Sequence, residues 1–153
     1  NGWGLGPIGS RYEASKDRLP RKMTKSDTAT FSLGVVSRED GLTRVVINDS
    51  ESHDLADARS LMTAIRKVVS RPEPLPMLTD VRSTSVGPST EARSFYGDPE
   101  NAGYATCSAL LCASAYQKIL GNFTLMFSSH KVPTQIFTDE AAALEWLEKK
   151  HQG

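Results

Sequence analysis

Between Cys107 and Gln152 the chain reads as strand, helix, strand, helix, with a capping residue where each helix starts. Ala109-Leu110-Leu111 and Gln135-Ile136-Phe137 are short apolar runs of strand type, and each is followed by a segment with helical spacing. After the first run, Ser114 opens a capping box with Gln117, and Ile119, Leu120, Phe123, Met126 and Phe127 form an apolar stripe. After the second, Thr138 reads as the cap of a helix with Asp139 and Glu140 in its first turn and Lys149-Lys150 at its end. Ala143, Leu144, Trp146 and Leu147 make its inward face. Alternation of this kind predicts a layered α/β domain with helices packed on a largely parallel sheet.

The rest of the chain extends the pattern toward the N-terminus. Thr30 to Val36 alternates as a strand, Asp40-Gly41 is a strong hairpin-turn signal, and Leu42 to Ile47 is a second strand rich in β-branched residues. A helix begins near Ser52 to Asp54. Its face is Leu55, Ala58, Leu61, Met62, Ile65, Val68 and Val69, spaced by threes and fours. Pro72, Pro74 and Pro76 end that pattern, because none can continue a helix. Met77 to Val81 then reads as a short central strand. A polar loop, Ser83 to Thr90, leads to a brief helix from Glu91 to Tyr96 that stops at Gly97. Asp98-Pro99 marks another helix start, and Cys107 to Ala113 is the fourth strand.

Composition bounds the function classes. With 153 residues, 39% hydrophobic and 24% charged, the chain is one domain with a real core and at most an appended arm. Eighteen basic residues balance eighteen acidic ones, which argues against a general nucleic-acid or anionic-membrane surface. The charge is not even: residues 1 to 30 hold six basic and three acidic residues. We read residues 1–28 as a weakly structured arm or upstream extension, with Met23 as a candidate initiator. The other reading is a partner-binding tail that uses Trp3 and Tyr12. The domain proper runs from 29 to 153. No apolar run is long enough to span a membrane, and no apolar secretory segment opens the chain. Cys107 and Cys112 are five apart in one strand and so point to opposite faces. That speaks against a disulfide between them and for a reduced, cytoplasmic setting.

The order strand, strand, helix, strand, short helix, strand, helix, strand, helix resembles the small SpoIIAA-like (STAS) domains. This is the fold of bacterial anti-anti-sigma factors and of stand-alone bacterial proteins with no assigned activity. The residues that carry the likeness are Glu91 to Tyr96, the unit Tyr116 to Phe127 around Ile119-Leu120-Gly121-Asn122-Phe123, and the closing run Pro133 to Glu140 with Ala143 to Leu147. The resemblance covers about residues 29 to 150. It implies a single α/β domain with a five-stranded, mostly parallel mixed sheet and about four helices. It also implies a non-enzymatic regulatory or protein-interaction module. In anti-anti-sigma factors the third strand leads into an Asp-Ser-Ser/Thr-Gly motif whose serine is phosphorylated. Here Asp80 matches the acid, but Val81 and Arg82 follow it and no glycine completes the motif.

The loop after that strand is the leading site candidate, since open α/β sheets place ligands at the carboxyl ends of their strands. Asp80, Arg82, Ser83, Ser85, Ser89, Thr90 and Arg93 are its ligand or phospho-switch residues; Thr84 adds a further hydroxyl. The plainer reading is a polar turn that caps a helix. Tyr116, Phe123 and Phe127 form either a core stripe or an apolar groove for a lipid, a partner helix or a second copy. Asp49, Glu51, His53, Asp54 and Asp57 are an acidic cluster without recognised metal spacing, read as a solvated helix start. We expect no catalytic residue, no metal and no cofactor, because no nucleophile is accompanied by a base. The expected partner is a protein or a second copy, as in a homodimer. The rival reading is a small anionic or lipid-like ligand held between the loop and the aromatic helix.

Overall fold

The structure, a computed structural model, describes residues 26–114 and 132–153. The strands are β1 (Thr28–Phe31), β2 (Gly34–Glu39), β3 (Leu42–Ile47), β4 (Leu75–Asp80), β5 (Ala105–Leu111) and β6 (Thr134–Phe137), and they lie in the sheet in that order. The helices are α1 (Leu55–Val68), α2 (Thr90–Gly97), α3 (Pro99–Ala102) and α4 (Glu140–Gln152). β1, β2 and β3 pair antiparallel, whereas β3 to β6 run parallel. The sheet is therefore mixed, as expected, but it has six strands among the described residues and not five.

The extra strand comes from a turn that alternation conceals. Phe31, Leu33 and Val35 read as one face of one strand, yet the chain reverses at Ser32-Leu33 and Phe31 pairs with Gly34. The turn flips the phase, so that Val36, not Val35, enters the core. α1 holds this turn: Ser32 N–H donates to Ser60 Oγ at 2.9 Å and Ser32 Oγ–H to Asp57 Oδ1 at 2.6 Å. The second turn is as expected. Asp40 and Gly41 take φ of 51° and 75°, the left-handed values that a tight hairpin needs.

α1 starts where its sequence says it should. Asp54 Oδ1 accepts Asp57 N–H, and the Asp57 side chain accepts Asp54 N–H in return. Ala58, Leu61, Met62, Ala64, Ile65 and Val68 are its buried face, and each larger aliphatic among them contributes roughly 1.5–3 kcal/mol by leaving water. α1 covers β1 and β2, and α4 covers β4 and β5 on the opposite face. Two cores result. Val36, Val45, Ile47, Leu110 and Tyr96 pack with α1 and α2, while Leu78, Ala109 and Leu111 pack with Ala143 and Leu147 of α4. Free Cys107 and Cys112 are buried in different cores, on opposite faces of the sheet as the spacing indicates. The cap of α4 is Asp139, whose carboxylate accepts Ala142 N–H at 2.9 Å, one residue later than the Thr138 read from sequence.

Thr43 in β3 is 0% exposed, and its hydroxyl has no hydrogen-bond partner. A buried, unsatisfied polar group costs about 1–3 kcal/mol. Thr43→Val removes the hydroxyl and keeps the shape. It is expected to raise the urea midpoint, adding about 1–2 kcal/mol at unchanged slope.

Candidate functional site

β3, β4, β5 and β6 are parallel, so their carboxyl ends Ile47, Asp80, Leu111 and Phe137 share one edge of the sheet. The N-termini of α1, α2 and α4 rise from the connections that leave this edge. The loop Val81 to Ser89 lies there, at the end of the central strand β4 as the sequence indicates.

Asp80 and Arg82 form a closed unit. Asp80 Oδ1 accepts the Arg82 backbone N–H and Nε–H, each at 3.0 Å, and Oδ2 accepts Nη2–H at 2.8 Å. Burial opposes ionisation of Asp80, but these bonds, with the charges of Arg82 and Arg44, hold its pKa below the usual carboxylate range. The Asp80 hydrogen bonds in turn raise the pKa of Arg82. Arg82 Nη2 also reaches Glu140 Oε1 at 3.4 Å. Glu140 accepts from Arg44 at 3.1 Å, and Arg44 Nε donates to Glu39 at 3.1 Å. A chain of charges thus joins the ends of β4 and β2 to the start of α4.

The hydroxyls of the loop have separate fates. Ser83 is exposed. Ser85 donates both its N–H, at 3.0 Å, and its Oγ–H, at 2.8 Å, to Asp49 Oδ1. Those two bonds keep the Asp49 carboxyl below its ordinary value. Thr84 Oγ–H donates to Val86 O, folding the loop on itself. Ser89 is the cap of α2, and its Oγ accepts Ala92 N–H at 3.1 Å. Thr90 Oγ1 accepts from Arg93 Nη2 at 3.2 Å. The seven loop candidates therefore sit together, but only Ser83, Ser85, Thr90 and Arg82 face solvent. Tyr116, Phe123 and Phe127 lie outside the described residues, as does the arm up to residue 25.

The acidic cluster disperses into structural tasks. Asp49 holds the loop, Asp54 caps α1, and Asp57 anchors the β1–β2 turn. His53 turns inward: it is 4% exposed, and its Nε2 lies 2.6 Å from Tyr96 Oη. Sequence reasoning missed this pair. The one available signal was an apolar-flanked tyrosine on the short helix, which does not point to a particular histidine. Among the described residues no set of three or more His, Cys, Asp or Glu side chains gathers as a metal site would.

No curated protein matches this chain. Among solved structures, the chain is similar to an uncharacterised protein of the DUF3478 family from Shewanella loihica PV-4, whose crystal structure has a SpoIIAA-like fold. The identity is 15% and the TM-score 0.50, over 77% of this chain and 94% of that one. Likeness at that identity speaks for fold alone. The fold is SpoIIAA-like, in agreement with the sequence resemblance. Residues 36–151 match the family model described as domain of unknown function (DUF7793), and the chain belongs to that family.

Proposed function

We propose that the chain is a non-enzymatic regulatory module that binds a protein partner or a second copy through the loop Val81 to Ser89 and the adjoining face of α2. The observation that carries this reading is the division of labour in the loop. The groups able to do chemistry, Asp80, Asp49 and Ser89, are engaged in holding it in shape, while Ser83 is exposed to solvent. A rigid, polar, partly hydroxylated rim is a surface for recognition. A cytoplasmic location agrees with the two free, separately buried cysteines. No helix among the described residues is long and apolar enough to cross a membrane.

The rival ligand reading places its site between the loop and the aromatic helix, and that helix lies outside the described residues. The cavity beside Tyr96, lined also by Leu61, Met62, Met77 and Thr79, measures about 50 Å³, against roughly 300–1,000 Å³ for small-molecule sites. Broader depressions of about 550 and 470 Å³ open beside Asp40 and Gly41, at the opposite end of the sheet from the loop.

Charge added to this rim should control the contact. A phosphate brings roughly −1.5 to −2 charges. On Ser83 it would project into solvent. On Ser85 it would face Asp49, replace the hydroxyl's hydrogen bond with repulsion and so strain the bond from the Ser85 N–H that holds the loop. Ser89→Asp is a clean probe, because aspartate caps a helix as well as serine does. In native mass spectrometry of protein from its own host, a dimer or a stoichiometric partner complex is expected. Ser83→Asp and Ser89→Asp should weaken or strengthen it by about tenfold, roughly 1.4 kcal/mol. A bare monomer, or affinities unmoved by both substitutions, would remove the proposal.

A further inference from the structure

His53 fastens α2 to the body of the domain at two points. It stands just before Asp54, the cap of α1, and its carbonyl accepts the N–H of Ser89, the cap of α2, at 2.8 Å. Its ring meets Tyr96, near the end of α2, with Nε2 2.6 Å from the phenol oxygen. The two rings pack edge to face, their centroids 5.6 Å apart. These contacts span seven residues of helix, roughly 10 Å along its axis. The loop that carries Ser83 and Ser85 ends at the same Ser89. One residue therefore holds both ends of α2 and one end of the loop.

The surroundings favour a neutral ring. His53 and Tyr96 are each 4% exposed. Strand side chains in the same core, Val36, Val45 and Ile47, are apolar. The charges that act on the ring come from Asp57 in α1 and its cap Asp54, and α2 contributes the Tyr96 phenol. Both Asp57 oxygens are already engaged, one by Ser32 Oγ–H and the other by Asp54 N–H. Burial pulls the His53 pKa down, and Asp57 and Asp54 offset part of that pull. Burial also keeps the Tyr96 phenol protonated far above neutral pH.

We propose that His53 is an acid-sensitive latch, whose protonation releases α2 and the loop Val81 to Ser89 from α1. An imidazolium is a charge in an apolar setting and carries two N–H donors, of which the phenol oxygen can meet one. The second N–H is drawn toward the Asp57 and Asp54 carboxylates, and a ring that turns to meet them gives up the contact with Tyr96. The sign follows from linkage. The latch is fully closed above about pH 6.5, the value of a free histidine. It is lost as the pH falls through the lower value of the folded state. Between those two values the opening equilibrium grows about tenfold per pH unit. This inference concerns the free protein and stands whether or not the rim binds a partner.

The test is an NMR titration of the full chain from pH 7.5 to 4.5, with amide hydrogen exchange read over the same range. A His53 midpoint below that of a free ring, about 6.5, is expected, and the Ser83, Ser85, Ser89 and Tyr96 amides should shift at the same midpoint. Their protection, corrected for intrinsic exchange, should fall by up to about tenfold per pH unit. In His53→Gln, which keeps a hydrogen-bonding group that cannot titrate here, that step should vanish from the amides. Tyr96→Phe should leave the ring titrating while α2 no longer follows it. The latch is overturned by a His53 midpoint at or above about 6.5, by amides that ignore it, or by a step that survives His53→Gln.

Discussion

Leu78→Ala is expected to lower the free energy of unfolding by about 3–4 kcal/mol, the cost of emptying a well-packed leucine site. Leu78 is 0% exposed in β4, between β3 and β5, and packs in the core that contains Ala143 and Leu147 of α4. Strand neighbours on both sides prevent β4 from sliding inward, so the cavity should persist. For a domain of typical stability, about 5–15 kcal/mol, the loss is a large fraction of the total. Urea denaturation followed by circular dichroism measures it, and Leu78→Met is the control, expected to cost under about 1.5 kcal/mol. A loss below about 1 kcal/mol for Leu78→Ala would mean that α4 does not pack on β4 as described.

The second large effect is steric. A Cβ on Gly34 would run into the Val46 carbonyl oxygen, with Val46 C at 3.0 Å and Ile47 Cα at 3.4 Å. These are backbone atoms of β3, which cannot rotate aside as a side-chain tip would. β2 and β3 would have to part at the place where Asn48 N–H donates to Leu33 O and the β1–β2 turn is seated. Gly34→Ala is therefore expected to cost about 3 kcal/mol, at the upper end of overpacking effects. Gly87, in the exposed loop, has nothing within 4 Å of an added Cβ. Gly87→Ala should change stability by less than about 0.5 kcal/mol. Equal effects at the two positions would refute the close approach of β2 and β3.

Both experiments concern the frame that presents the rim. α4 and β4 fix the end of the central strand, and the β1–β2 turn leans on α1, the helix that follows His53. A variant that loosens either should also disturb the loop. Loop variants should therefore be compared at matched stability.

Much of this frame was legible because its signals are local. The Asp40-Gly41 turn, the Asp54 cap, the Asp98-Pro99 start and the spacing of Leu61, Met62 and Ile65 each act within four residues or fewer. A hydrogen bond from a cap, or an apolar stripe with the period of a helix, is decided before the chain has folded around it. The β1–β2 reversal was not legible, since Ser32-Leu33 carries no glycine or proline and its stability comes from Ser60 and Asp57 in another element.

The site divides in the same way. Sequence alone determined an α/β domain, a central strand ending at Asp80, a polar loop after it and cysteines on opposite faces. Tertiary structure alone decided that Ser85 is bound to Asp49 and that His53 meets Tyr96. It also joined Arg44 to Glu140, ninety-six residues away. Histidine, tyrosine, serine and aspartate have no fixed partners; which of them pair depends on where the sheet and helices carry them, and that is a property of the assembled chain.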